Sequence, residues 1–169
     1  MKKNPFAILA SLAIAIAFLP ACQKEENTKT ELAKKAEEFT AFAKGKAFVP
    51  TEFYADKPID YIDTDETVKA ETDLSAYIYN YIKDDQILFD DNGVLKIIQN
   101  GIKIPGNDSA VLLRSWKIAA GTSTVNVEFV DYNYKPRMYR LVEYNDNMFK
   151  AYVDWKNTGA KLYSTFERK

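Results

Sequence analysis

The feature that most constrains this chain is the alternation in its carboxy-terminal half. Leu112, Arg114, Trp116 and Ile118 oppose Val111, Leu113, Ser115 and Lys117. Val125, Val127 and Phe129 oppose Thr124, Asn126 and Glu128, and Phe149, Ala151, Val153 and Trp155 oppose Met148, Lys150, Tyr152 and Asp154. Successive side chains of a strand point to opposite faces, so a period of two predicts strands with one buried face. Turn-forming residues fall between these runs at Ala120-Gly121-Thr122, Asn133-Tyr134-Lys135-Pro136, Asn145-Asp146-Asn147 and Asn157-Thr158-Gly159. Strand, short turn, strand at regular spacing reads as an antiparallel meander. About eight such strands predict a mainly β fold, a small barrel or a sandwich. Eleven tyrosines and ten phenylalanines favour the sheet further. A barrel would also remove the exposed edges that such a sheet offers.

Upstream the period changes. Thr28-Lys29-Thr30-Glu31 has the spacing of a capping box. Leu32, Ala36, Phe39 and Ala43 then share one helical face, and Lys44-Gly45 supply a cation and a glycine at the end. One amphipathic helix should therefore precede the strands and pack on the core. Phe48 to Tyr54 reads as a first strand interrupted by Pro50. Residues 55–73 read as a long acidic insertion, and Asp73 as the cap of a short helix carrying Leu74, Tyr77, Ile78 and Tyr81. Asn92-Gly93 after Leu88-Phe89 is a hairpin signal, because both turn residues must accept positive φ.

Residues 1–22 have another character. Lys2 and Lys3 precede a nearly unbroken apolar run from Phe6 to Phe18, too short for a comfortable membrane span and suited to a signal segment. Leu19-Pro20-Ala21-Cys22 resembles the lipobox of bacterial lipoproteins, and Cys22 is the single cysteine of the chain. The resemblance implies cleavage after Ala21 and lipidation of Cys22, hence a membrane as partner through that anchor. Gln23-Lys24-Glu25-Glu26-Asn27 is similar to the surface-export signal of Bacteroidota lipoproteins. That implies an outer-membrane protein facing the cell surface, with the periplasmic face as second choice. The expected organisation is a signal peptide at 1–21, a lipidated cysteine and polar tether at 22–29, and a single domain at 30–169.

The domain itself resembles the lipocalin-like lipoproteins of the Bacteroidota. The likeness rests on the tether, on Lys83-Asp84-Asp85 with Leu88-Phe89 and Asn92-Gly93, on Trp116, and on the final strands Tyr139–Tyr144 and Met148–Trp155 closing with Leu162-Tyr163-Ser164-Thr165-Phe166. It implies an antiparallel lipocalin-like β-barrel over most of residues 46–167, with small apolar ligands held by some related folds.

Chemistry is sparse. The chain has no histidine, which removes the commonest general base and the commonest zinc ligand. Neither a Gly-x-Ser-x-Gly nor a Ser-x-x-Lys motif is present, and the six glycines are scattered. Asp84-Asp85 and Asp90-Asp91 read as turn residues, since adjacent side chains diverge and do not face one substrate. Asp60, Asp63, Asp65 and Glu66 lack the spacing of a calcium loop. No catalysis, metal or cofactor is expected. A formal net charge of -1, more negative once Lys2 and Lys3 leave, argues against nucleic acid. Tyr132, Tyr134, Tyr139, Tyr152 and Trp116 are the candidate ligand-binding residues, because these rings combine apolar area with a polar tip. Ser109, in Asp108-Ser109-Ala110, resembles the acceptor of O-glycosylation on exported Bacteroidota proteins. The expected function is a non-catalytic, surface-anchored module holding a small amphipathic molecule or glycan. The alternative is an interaction protein with a filled barrel that contacts another envelope or host protein.

Overall fold

The computed structural model describes residues 26–62, 68–77, 80–131, 134–155 and 158–169. Helix α1 spans residues 26–43. Among the described residues nine strands follow: β1 (Ala47–Ile62), β2 (Val68–Asp73), β3 (Gln86–Phe89), β4 (Val94–Ile98), β5 (Val111–Ala120), β6 (Val125–Val130), β7 (Pro136–Asn145), β8 (Met148–Trp155) and β9 (Ala160–Arg168). Each pairs antiparallel with its neighbour in the order β2-β1-β3-β4-β5-β6-β7-β8-β9, and β1 also pairs with β9. Eight strands thus close a barrel, and β2 extends beside the far end of β1. The mainly β antiparallel barrel with one preceding helix is as the alternation predicts.

The acidic stretch at 55–73 is built largely into strands: β1 continues through it to Ile62, and β2, the strand added to the eight of the barrel, returns along it with Tyr54 opposite Asp73 and Ile59 opposite Glu71. Ala55, Ile59 and Leu74 are buried with Ala160 in a small second core, joined by Phe53, Trp155 and Leu162. Charged neighbours hide these few apolar positions in the sequence. The chain between Asp73 and Gln86 is also more broken than expected. The Asp73 carboxylate accepts from the Ser75 N–H at 2.9 Å, and one 3-10 turn covers Ser75–Tyr77. A four-residue helix α2, Asn80–Lys83, follows; Ile78 lies outside the described residues.

Helix α1 begins earlier than its capping box suggests. Residues 26–29, read as tether, are helical, and the Thr30 hydroxyl donates to the Glu26 carbonyl at 2.9 Å within the helix. Ala36, Phe39 and Ala43 are buried in the barrel core. Gly45, at φ 74°, takes the left-handed conformation that ends the helix. Its N–H donates to the Phe89 carbonyl at 2.7 Å, and Lys44 pairs with Asp91 at 2.8 Å. The helix end is thereby fixed to the β3–β4 hairpin. That hairpin turns through Asn92 (φ 60°) and Gly93 (φ 74°), as the Asn-Gly signal requires.

Two irregularities set which side chains enter the bore. The β1–β9 register shifts between Pro50 and Glu52. Pro50 has no N–H to donate, so the ladder cannot run through it unchanged. Phe48 and Pro50 are buried before the shift, and Ala55 after it. The β7–β8 register shifts between Leu141 and Glu143. A bulge inverts the facing of all later residues. Leu141 is buried before it, and Tyr144 turns onto Phe39 and Phe42 of α1 after it, with ring centroids 5.1 Å apart in both pairs.

Candidate functional site

The bore next to α1 is filled by aromatic rings. Phe149 lies 5.4 Å from Phe39, 5.0 Å from Phe48 and 6.1 Å from Phe89, and stacks on Phe166 at 4.5 Å. Phe166 meets Phe129, which stacks on Tyr139 at 4.8 Å. Leu95, Ile97, Val125 and Val127 close the gaps and are fully buried. Ring pairs at these separations contribute beyond their buried area, so this filling is cohesive.

The candidate binding residues do not form one site. Trp116 faces inward, 5.4 Å from Phe89, and its Nε1 donates to the Asp90 carbonyl at 3.0 Å. Tyr139 also faces inward, and burial pushes its phenol up to about 12. Tyr134 is 71% exposed at φ 59°, with the Arg114 guanidinium 3.8 Å from its ring centre. Tyr152 lies on the outer face of β8, and Tyr132 and Cys22 fall outside the described residues. Two of the four described rings are therefore core and the other two lie on different parts of the wall. Composition cannot separate these roles, because tyrosine suits all of them. Ser109 is exposed in the loop before β5. Its N–H donates to Asn107 Oδ1 at 3.0 Å, and its carbonyl accepts from Gln99 Nε2 at 2.6 Å.

The acid pairs have structural partners. Asp85 accepts from the Asn100 N–H and Asp84 from the Ile102 N–H, both at 3.2 Å. Asp90 accepts from Lys96 and from the Asp91 N–H, which hold its carboxyl below the usual range. Among the described residues no group of three acids or sulfur ligands is placed to hold a metal.

Three features of the outer wall have no signal in the sequence. The first is a row across the seam where β1 meets β9. Tyr54 lies opposite Tyr163, Tyr163 opposite Tyr152, and Tyr152 opposite Arg140. Tyr54 and Tyr163 stack at 4.9 Å and 5°. Lys150 lies over Tyr54 at 4.7 Å, and Lys161 over Tyr152 at 4.7 Å. The second is an apolar face on β4 and β5. Leu113 (63% exposed) lies opposite Lys96, and Val111 (42% exposed) opposite Ile98. Lys96 is held by Asp90.

The third is a slit. The β7–β8 ladder stops at Arg140 opposite Tyr152. Beyond it β7 pairs only with β6 and β8 only with β9. A groove of about 410 Å³ lies between them, lined by Pro136, Arg137, Met138, Arg140, Val153, Asp154 and Trp155. Arg140 and Asp154 form an ion pair across it.

The chain matches no protein-family model, no curated protein and no solved structure. No helix among the described residues is long and apolar enough to cross a membrane.

Proposed function

We propose that this is a lipid-anchored, non-catalytic module of the bacterial envelope that meets another envelope or host protein through the outer wall of a filled barrel. The observation that carries this reading is the aromatic filling of the bore around Phe149. Rings that already pack on one another leave a bore ligand little space, so recognition moves to the wall. The exposed Leu113 and Val111 on a regular strand supply a face of the right kind. Scattered surface apolar residues are ordinary, but neighbouring ones on one sheet face suit a partner. The anchor rests on Cys22 behind its apolar run, and the lipocalin-like resemblance agrees with the barrel without assigning its work.

The test is photo-crosslinking in the living cell, with a benzophenone side chain replacing Leu113. One discrete protein adduct is expected, lost when Val111 becomes Asp while the barrel stays folded. Absence of any adduct, together with a native mass spectrum of the full chain showing a small molecule released from the bore on denaturation, would reverse the reading. Cys22→Ser should release the protein from membranes in the same cells.

A further inference from the structure

We propose that the slit between β7 and β8 binds an amphipathic carboxylate, its head on Arg137 and Arg140 and its apolar body against Met138, Val153 and Trp155. The inference goes beyond protein contact and shares with it only the filled bore.

Three observations converge. The first is the parting of two strands that are paired along the rest of their shared length. Antiparallel neighbours form a continuous ladder unless something separates them. Here β7 and β8 separate just past a pair, Arg140 and Tyr152, that faces the outer wall. Met138, two residues from Arg140 on β7, is half exposed. Val153 and Trp155 belong to the inward-facing set of β8, yet they line the groove. The groove therefore borders apolar residues from both faces of the sheet.

The second is size. About 410 Å³ falls within the range of small-molecule sites. It would hold a medium-length acyl chain or a comparable flat body, and it is small for a folded partner.

The third is the state of the two arginines. Arg137 donates from Nε to Asp131 at 2.8 Å. Its two terminal nitrogens meet no acceptor among the described residues, and its side chain is about half exposed. Arg140 spends one terminal nitrogen on Asp154 and lies 5.7 Å from the Tyr152 ring centre. A guanidinium carries five donors in a planar fork that matches a carboxylate in two-pronged fashion. Arg137 is paired with Asp131 and Arg140 with Asp154, so what the groove offers an anion is the unused donors of two guanidinium groups rather than a net charge. A carboxylate suits those donors, and Met138, Val153 and Trp155 beside them select an apolar body.

The test uses the full chain in detergent-free nanodiscs, with sodium decanoate as probe and decanol as its uncharged counterpart. Binding is read from Trp155 fluorescence in a Trp116→Phe background and from methyl NMR shifts. Decanoate is expected to shift Met138 and Val153 while leaving Leu95 and Val127 in the bore unmoved. Arg137→Gln should weaken decanoate roughly tenfold and leave decanol unchanged, since one charge-assisted contact is worth about a decade of affinity. Arg137 is on the surface, so this variant should melt like the parent. Equal binding of decanoate to parent and Arg137→Gln overturns the proposal. No binding at about 1 mM, the weakest affinity worth assigning, overturns it too and leaves the filled-bore reading intact. Shifts at Leu95 and Val127 would overturn both.

Discussion

Removing the Phe39 ring tests whether α1 is part of the barrel or only its leash. Phe39 is fully buried and touches Phe42, Tyr144 and Phe149. A buried ring of this size withdraws about 150 Å² or more from water, which at about 25 cal/mol per Å² gives roughly 4 kcal/mol. Measured Phe→Ala changes in cores fall at about 3–5 kcal/mol, cavity included. For a domain of this length each kcal/mol lowers the melting temperature by about 2–4 °C. Phe39→Ala should therefore melt roughly 8–15 °C lower than the parent. The helix should not leave first, because Gly45 is bonded to Phe89 and Lys44 to Asp91. Far-ultraviolet circular dichroism should follow the helix, and amide exchange at Leu95 and Val127 should follow the strands. Both should report one cooperative transition. A variant that loses helical signal while the strand amides keep the parent's protection, with the melting point moved by under about 2 °C, would refute the reasoning: the barrel would then be filled without its helix.

Tyr139 gives a pH prediction. Its phenol is raised to about 12 in the fold, so the protonated form is favoured there. The stability this contributes is complete below the unfolded value of about 10 and is lost as pH rises through about 12. Denaturant midpoints from pH 8 to 11.5 should fall less in Tyr139→Phe than in the parent, and parallel curves would refute the assignment. Gly121→Ala should be destabilising by about 1–3 kcal/mol, because an added Cβ would stand 2.7 Å from the Thr124 carbonyl oxygen; urea melts check it, and an unchanged midpoint would show that the turn adapts.

Much of the fold was readable because strand period and turn chemistry are local. Val125, Val127 and Phe129 alternate in sequence and are buried in the structure, and Asn92-Gly93 turns where its conformational freedom demands. The β1–β2 hairpin was not readable. Ala55 and Ile59 are buried apolar side chains in the half of β1 that pairs with β2, where their neighbours are Asp56, Lys57 and Asp60, and a shift in register between Tyr54 and Ile59 breaks the period that would have revealed them. The wall was even less legible. Its tyrosine row joins residues from β1, β8 and β9, and its slit exists because two strands part. Both are properties of cross-strand register, which a single run of sequence does not express.

The tyrosine row shows why aromatic abundance here is a poor guide to a binding surface. An aromatic platform for a flat ligand must offer open ring faces. Tyr54 and Tyr163 turn their faces to each other, with 5° between the ring planes. Lys150 lies over Tyr54 and Lys161 over Tyr152, so cations cover further faces from within the chain. Hydrogen bonding to Tyr54 raises the Lys150 ammonium above its ordinary value, which favours the charged form that lies over the ring. What the row joins is the seam between the first and last strands of the barrel, carried on to β8. Closing that seam brings together residues more than a hundred positions apart, an entropic cost that local hairpins do not meet. Cross-strand aromatic pairs, at about 0.2–1 kcal/mol each, act where that cost falls. The outer tyrosines thus do for closure what the phenylalanines do for the interior, and the surfaces proposed for partners are instead the aliphatic one at Leu113 and the slit beside Arg140.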